Sequence, residues 1–292
     1  MKRFLALGLL ALCLMVSIVA CQGGGDRVVI GSKNFTEQII LGEILAQQIE
    51  RKTNIKVDRK FNLGGTFVCL TGIQKGELDI YPEYTGTAYG AILKLGAESD
   101  PKKVLETVQS RFERDFQLLW TKPFGFNNSF AMVVRGDDAR KLKIQTLSQA
   151  ATYTPKWRAG FGPEFLNRED GFPGLAKAYN LKFTQAPKVM DLGLLYRSLQ
   201  DNQVDIVAGS TTDGLLSTLD LTVLKDDKRY FPPYEAAAVV RRETFQKHPE
   251  LREVLDQLGG MISDKTMQEL NYRVDGKKED VKQVVQEFLK SK

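Results

Sequence analysis

Histidine is nearly absent from this chain of 292 residues: the only one is His248, followed at once by Pro249 in a polar stretch. Histidine-based triads and histidine-rich metal sites lose their main residue type and are almost closed off on this ground alone. Cysteine is scarce as well, with three in all. Cys13 lies within an N-terminal apolar run and Cys21 at its end, so only Cys69 stands in the body of the chain. One thiol closes no intramolecular disulfide. Its setting, Thr66-Phe67-Val68-Cys69-Leu70, is apolar, which points to a buried structural cysteine rather than a nucleophile. A strong charge of one sign is missing too: 41 Lys and Arg against 36 Asp and Glu leave a formal +5. That surplus is too small and too scattered to argue for nucleic acid as a partner. What is present is ordinary globular composition, 42% hydrophobic and 26% charged, which excludes a disordered or collagenous chain. The length suggests two lobes or one large α/β unit.

The first residues have a separate purpose. Lys2 and Arg3 precede an apolar run from Phe4 to Ala20, and Ile18-Val19-Ala20-Cys21 closes it. This reads as a secretory signal peptide over residues 1–20, ending in what looks like a bacterial lipobox, with Cys21 as the residue to be lipidated. The alternative is a single membrane-spanning anchor. A small residue directly before the cysteine suits a peptidase and has no role in an anchor, so the lipoprotein reading is preferred. Residues 21–26, with three consecutive glycines, then form a lipidated tether. Loss of Lys2 and Arg3 lowers the formal charge to +3. The expected location is outside the cytoplasmic membrane, held to its surface through the lipid alone.

From Arg27 onward short β-rich runs alternate with helical patterns, the signature of an α/β architecture with mostly parallel strands. Arg27–Gly31, Ile55–Phe61 and Leu78–Tyr81 read as strands. Asn34 with Glu37 resembles a capping box opening a helix whose inner face carries Leu41, Ile44, Leu45 and Ile49. Leu63-Gly64-Gly65-Thr66 turns into a second helix and either cradles an anion or makes a plain tight turn. Further helices are expected after Pro101, over Phe172–Tyr179 and Asp191–Gln200, and at the end through Val281, Val284, Val285 and Phe288. Further strands are expected at Gln117–Trp120, Phe130–Arg135, Leu181–Thr184 and Val204–Ala208. Two segments join proline to aromatic residues, Lys122–Asn128 and Tyr230–Tyr234, and read as crossings between lobes. The expected lobes are residues 27–126 with 232–292, and residues 127–231. Two stiff crossings beside a cleft are what a closing solute-binding protein needs.

Several separated runs carry a resemblance: Ile30-Gly31-Ser32-Lys33-Asn34-Phe35-Thr36-Glu37-Gln38, Leu63-Gly64-Gly65-Thr66, Gly76-Glu77-Leu78-Asp79-Ile80-Tyr81-Pro82-Glu83-Tyr84-Thr85-Gly86-Thr87, Phe165-Leu166-Asn167-Arg168-Glu169-Asp170-Gly171, and Asp226-Asp227-Lys228 with Pro232-Pro233-Tyr234. In this order and spacing the chain resembles the substrate-binding lipoproteins of osmoprotectant ABC importers, which bind glycine betaine, choline, carnitine and related quaternary ammonium solutes. The resemblance implies a type II periplasmic-binding-protein fold, with the ligand between two α/β lobes. It also implies a membrane permease and an ATPase subunit as partners and no cofactor, for a protein working as a monomer. No Gly-x-x-x-x-Gly-Lys-Ser/Thr loop is present, so any ATP hydrolysis belongs to another subunit.

A quaternary ammonium has no N–H to donate, so it is held by electron-rich faces, each cation–π contact contributing roughly 0.5–2 kcal/mol. By motif position the resemblance puts the cation-binding residues at Tyr84, Asn128, Phe130, Ser210 and Tyr234. Ser210 is a departure, because many members of the family carry tyrosine there; its place implies a weaker cage for small betaines or a bulkier solute. The residues matching the family's carboxylate-binding set are Lys33, Thr87 and Arg168. Two other functions stand beside this one. A protein of the same fold could take another small solute such as an amino acid, and an enzyme or sensor could be built on the same two lobes. The lone histidine, the unpartnered cysteine and the absence of a nucleophile elbow argue against the enzyme.

Overall fold

A computed structural model describes residues 27–96 and 98–292; the signal peptide, lipobox and tether expected at residues 1–26 lie outside the described residues. Two five-stranded sheets organise the chain. The first contains β1 (Arg27–Gly31), β2 (Lys56–Lys60), β3 (Ile80–Tyr84), β4 (Leu118–Trp120) and the late strand β10 (Ala236–Arg241), in the order β2-β1-β3-β10-β4. The second contains β5 (Phe130–Arg135), β6 (Ala159–Phe161), β7 (Lys188–Val189), β8 (Ile206–Ser210) and β9 (Leu221–Leu224), in the order β7-β6-β8-β5-β9.

The sheets are mixed rather than mostly parallel. β1 runs parallel to β2 and β3, and β6 parallel to β7 and β8, but β10 is antiparallel to β3 and β4, and β5 to β8 and β9. The crossings explain the reversal. β5 and β10 are the strands by which the chain enters one sheet from the other, so each runs against the neighbours it inserts between. The crossings lie side by side: Asn127 bridges Glu235, the Asn128 N–H donates to the Tyr234 carbonyl at 3.0 Å, and the Tyr234 N–H donates to Asn127 Oδ1 at 2.6 Å. Gly125, just before them, has φ +113°, and a Cβ there would stand 2.8 Å from Gly260 Cα, so this turn admits only glycine.

Helix α1 (Thr36–Lys52) buries Leu41, Ile44, Leu45 and Ile49 in the first-lobe core, where they meet Val284, Val285 and Phe288 of the C-terminal helix, Val281–Lys290. The capping box is not formed. Phe35 is the N-cap residue and makes no side-chain cap, and Glu37 turns inward instead. The expected strand Leu181–Thr184 is loop; the edge position beside β6 belongs to the two residues of β7, and Leu181 goes into the second-lobe core. Phe130 and Phe231 pack against both lobe cores, so the crossings carry an apolar bridge between them. No helix among the described residues is long and apolar enough to cross a membrane.

Candidate functional site

One cavity of about 350 Å³ lies between the lobes, and all eight residues singled out in the sequence line it: Lys33, Tyr84, Thr87, Asn128, Phe130, Arg168, Ser210 and Tyr234. Six sit where a strand ends or at a crossing, while Thr87 and Arg168 stand at the ends of the short helices Thr85–Thr87 and Pro163–Asn167. Lys33 follows β1, Tyr84 ends β3, Asn128 and Phe130 open β5, Ser210 ends β8 and Tyr234 precedes β10. Tyr84 and Tyr234 are buried, while Phe130 and Ser210 are partly open. The Phe130 and Tyr234 rings meet edge to face at 6.0 Å and 72°. Tyr84 stands apart from them, stacked on Phe35 at 6.4 Å. Ser210 pairs with Phe130 across the strands, and beyond its small side chain the wall continues through Tyr196, Asp213 and Leu215.

The cationic residues already have partners. Lys33 Nζ lies 2.5 Å from Glu83 Oε1, with both side chains buried. Arg168 grips Asp170 with two bonds of 2.9 and 2.5 Å, approaches Glu164 at 3.5 Å, and lies 5.4 Å from the centre of the Phe130 ring. Glu164, from the second lobe, also reaches the start of the helix Thr66–Gln74 in the first, accepting from the Thr66 N–H at 3.0 Å. The anion at the Gly64-Gly65 turn is therefore the chain's own carboxylate, and it spans the cleft.

The sequence patterns offer Glu37 as a helix cap, not as a site residue, yet it lines the cavity. Its Oε1 accepts from the Tyr84 hydroxyl and Asn128 Nδ2, both at 2.7 Å, and its Oε2 from the Thr212 hydroxyl at 2.5 Å and Asn271 Nδ2 at 2.8 Å. Burial pushes this carboxyl up, against the four donors, which pull it down. Phe35 and Phe165, inside motifs already quoted, line the cavity as well. Cys69 is buried, and desolvation pushes its thiol up to about 12, as suits a structural cysteine. His248 is buried and does not line the cavity.

The family described as the substrate binding domain of ABC-type glycine betaine transport systems matches residues 26–291. The chain belongs to this family. The binding protein is 38% identical to a carnitine transport binding protein of Listeria monocytogenes, over 99% of its own length and 96% of the relative's. It is 40% identical, over 90% of its length, to a Helicobacter pylori protein named as an ergothioneine transport permease and ergothioneine binding protein, and spans 47% of that longer chain. Among solved structures, a glycine betaine/carnitine/choline ABC transporter protein shares 34% identity and a TM-score of 0.74, covering 92% of this chain and 98% of the other. The binding protein is thus an extracytoplasmic, substrate-binding component of an ABC transport system, with the two-lobe fold that the resemblance implied.

One wall of its cavity titrates. Asp213 Oδ2 accepts from the Tyr196 hydroxyl at 2.5 Å and from the Ser210 N–H at 2.8 Å, yet burial outweighs both and pushes the carboxyl up to about 6. A carboxyl raised on folding contributes stability that is complete below its unfolded value, about 4, and is lost as pH rises through about 6. Asp213→Asn keeps an acceptor for both donors and removes the titration. Its stability relative to the wild type is expected to improve between pH 4.5 and pH 7.5 in thermal melts; a difference independent of pH would contradict the shift.

Proposed function

We propose that the binding protein holds a quaternary ammonium solute in this cavity and delivers it to a membrane permease driven by a separate ATPase. Tyr84, Phe130 and Tyr234 face the cation, with Asn128 beside it and Ser210 leaving one side wide. Lys33, Thr87 and Arg168 receive a carboxylate where the solute has one. The observation that carries the reading is convergence: residues scattered from position 33 to position 234 meet around a single cavity that both lobes close. The protein acts as a monomer tethered through lipidated Cys21 and catalyses no reaction.

A second reading, a larger or different solute of the same or another class, is favoured by two features of the same cavity. It extends past Ser210 to Tyr196 and Leu215, and both cations of the carboxylate set are already matched with acidic side chains. The Helicobacter relative, named for ergothioneine, makes that solute worth including in a test. The test is a thermal-shift panel of glycine betaine, choline, carnitine, ergothioneine, ectoine, proline and glutamine, run on the wild type and Ser210→Tyr. A ligand at a hundred times its dissociation constant stabilises by about 2.7 kcal/mol, which is readily seen. Ser210→Tyr is expected to strengthen the glycine betaine response and weaken that of any larger solute. Silence from every quaternary ammonium compound would overturn the proposal.

A further inference from the structure

Glu37 is 4% exposed, lines the cavity, and forms no ion pair among the described residues. Its four donors come from four places: Tyr84 at the end of β3, Asn128 in the first crossing, Thr212 in the second-lobe loop after β8, and Asn271 in the helix Asp264–Asp275. All four donate, and bonds in that direction favour the ionised form against the burial that disfavours it. A buried carboxylate that is hydrogen-bonded but not neutralised still lacks a positive charge. Neither of the cavity's well-buried cations supplies it, since Lys33 is engaged with Glu83 and Arg168 with Asp170.

We infer that Glu37 is the fixed counter-charge of the ligand's cation and ties that charge to the second lobe through Thr212, an assignment that rests on the quaternary-ammonium reading above. Glu37 is a positioning residue, because it acts through two of the groups that face the cation. The Tyr84 hydroxyl, donating into a carboxylate, leaves its ring richer in electrons and a better face for a cation. Asn128 gives its amide nitrogen to Glu37, which fixes the orientation of this side chain in the cavity wall. The bond from Thr212 crosses the cleft and forms only when the lobes meet. A cation that strengthens the field at Glu37 therefore favours the closed arrangement over the open one.

The test is calorimetry and stopped-flow dissociation on Glu37→Gln, Glu37→Asp and Thr212→Val. The probes are choline and glycine betaine, each against its carbon isostere, in which a quaternary carbon replaces the nitrogen. Glu37→Gln is expected to shrink the preference for the ammonium over its isostere by about ten-fold or more, while Glu37→Asp retains most of it. Thr212→Val keeps the charge and its preference but releases the solute faster. An undiminished preference in folded Glu37→Gln would overturn the counter-charge, and an unchanged dissociation rate in Thr212→Val would overturn the link. If Glu37→Gln fails to fold, Glu37→Asp and Thr212→Val still decide, since loss of the preference in Glu37→Asp is equally fatal. A wild type that binds neither solute would instead remove the quaternary-ammonium reading itself.

Discussion

Lys33→Ala is expected to lower the stability of the protein by about 3–5 kcal/mol, the cost of leaving a buried charge without its partner. Glu83 is the fourth residue of β3, whose five residues are all buried. Its Oε1 takes the Lys33 ammonium at 2.5 Å and the Tyr84 N–H at 2.7 Å, and its Oε2 has no hydrogen-bond partner. Removing the lysine strands that carboxylate in the centre of the sheet. An exposed pair such as Lys102 with Glu106, by contrast, contributes at most about 1 kcal/mol. Chemical denaturation of Lys33→Met, Glu83→Gln and the double variant tests this. Each single change is expected to be costly and the double to recover much of the loss, because it removes the uncompensated charge along with the pair. A single-variant cost below about 1 kcal/mol would show the pair to be no better than a surface one. The result also governs how Lys33 is examined as a carboxylate-binding residue: lost binding in Lys33→Ala is ambiguous, whereas the Glu83→Gln background separates solute contact from sheet integrity.

The parts of this molecule that sequence makes legible are those with local periodicity or local chemistry. The inner face of α1 follows from the spacing of Leu41, Ile44, Leu45 and Ile49, and the crossings from proline set beside aromatic residues. The eight residues now around the cavity came from motif position, not from any pattern of their own. What stayed hidden depends on long separations. Lys33 and Glu83 are fifty positions apart, and nothing in either segment announces a buried pair. The reversed directions of β5 and β10 follow from how the chain re-enters each sheet, which no window of sequence contains. Glu37 is the instructive case. Asn34 and Glu37 stand at the spacing of a capping box, yet the helix begins after Phe35, and the glutamate is drawn to donors from as far as Asn271. A pattern that would satisfy one helix end locally lost to four donors supplied by the tertiary fold.

Tyr84 and Tyr234 occupy equivalent roles in the proposed cage, yet removing their hydroxyls is expected to move stability in opposite directions. The Tyr234 hydroxyl is buried and has no hydrogen-bond partner. Its ring is packed against Phe130 and Phe231, and so closely against Gly86 that a Cβ there would stand 2.6 Å from the ring. Tyr234→Ala therefore empties a tightly filled place between the crossings and is expected to cost about 3–5 kcal/mol, with loss of solute binding. Tyr234→Phe keeps the ring and deletes only the unsatisfied group, so the melting temperature is expected to hold or rise, by up to about 1–3 kcal/mol of stability. Tyr84→Phe removes a 2.7 Å donor from the buried Glu37 and is expected to destabilise. Solute affinity then distinguishes two uses of the Tyr234 hydroxyl. If Tyr234→Phe is more stable but binds a carboxylated solute more weakly, the hydroxyl is held unsatisfied in the fold because the ligand satisfies it. If affinity is unchanged, Tyr234 contributes its face alone. A Tyr234→Phe protein that melts below the wild type would refute the argument, since it would mean that the hydroxyl already has a stabilising partner.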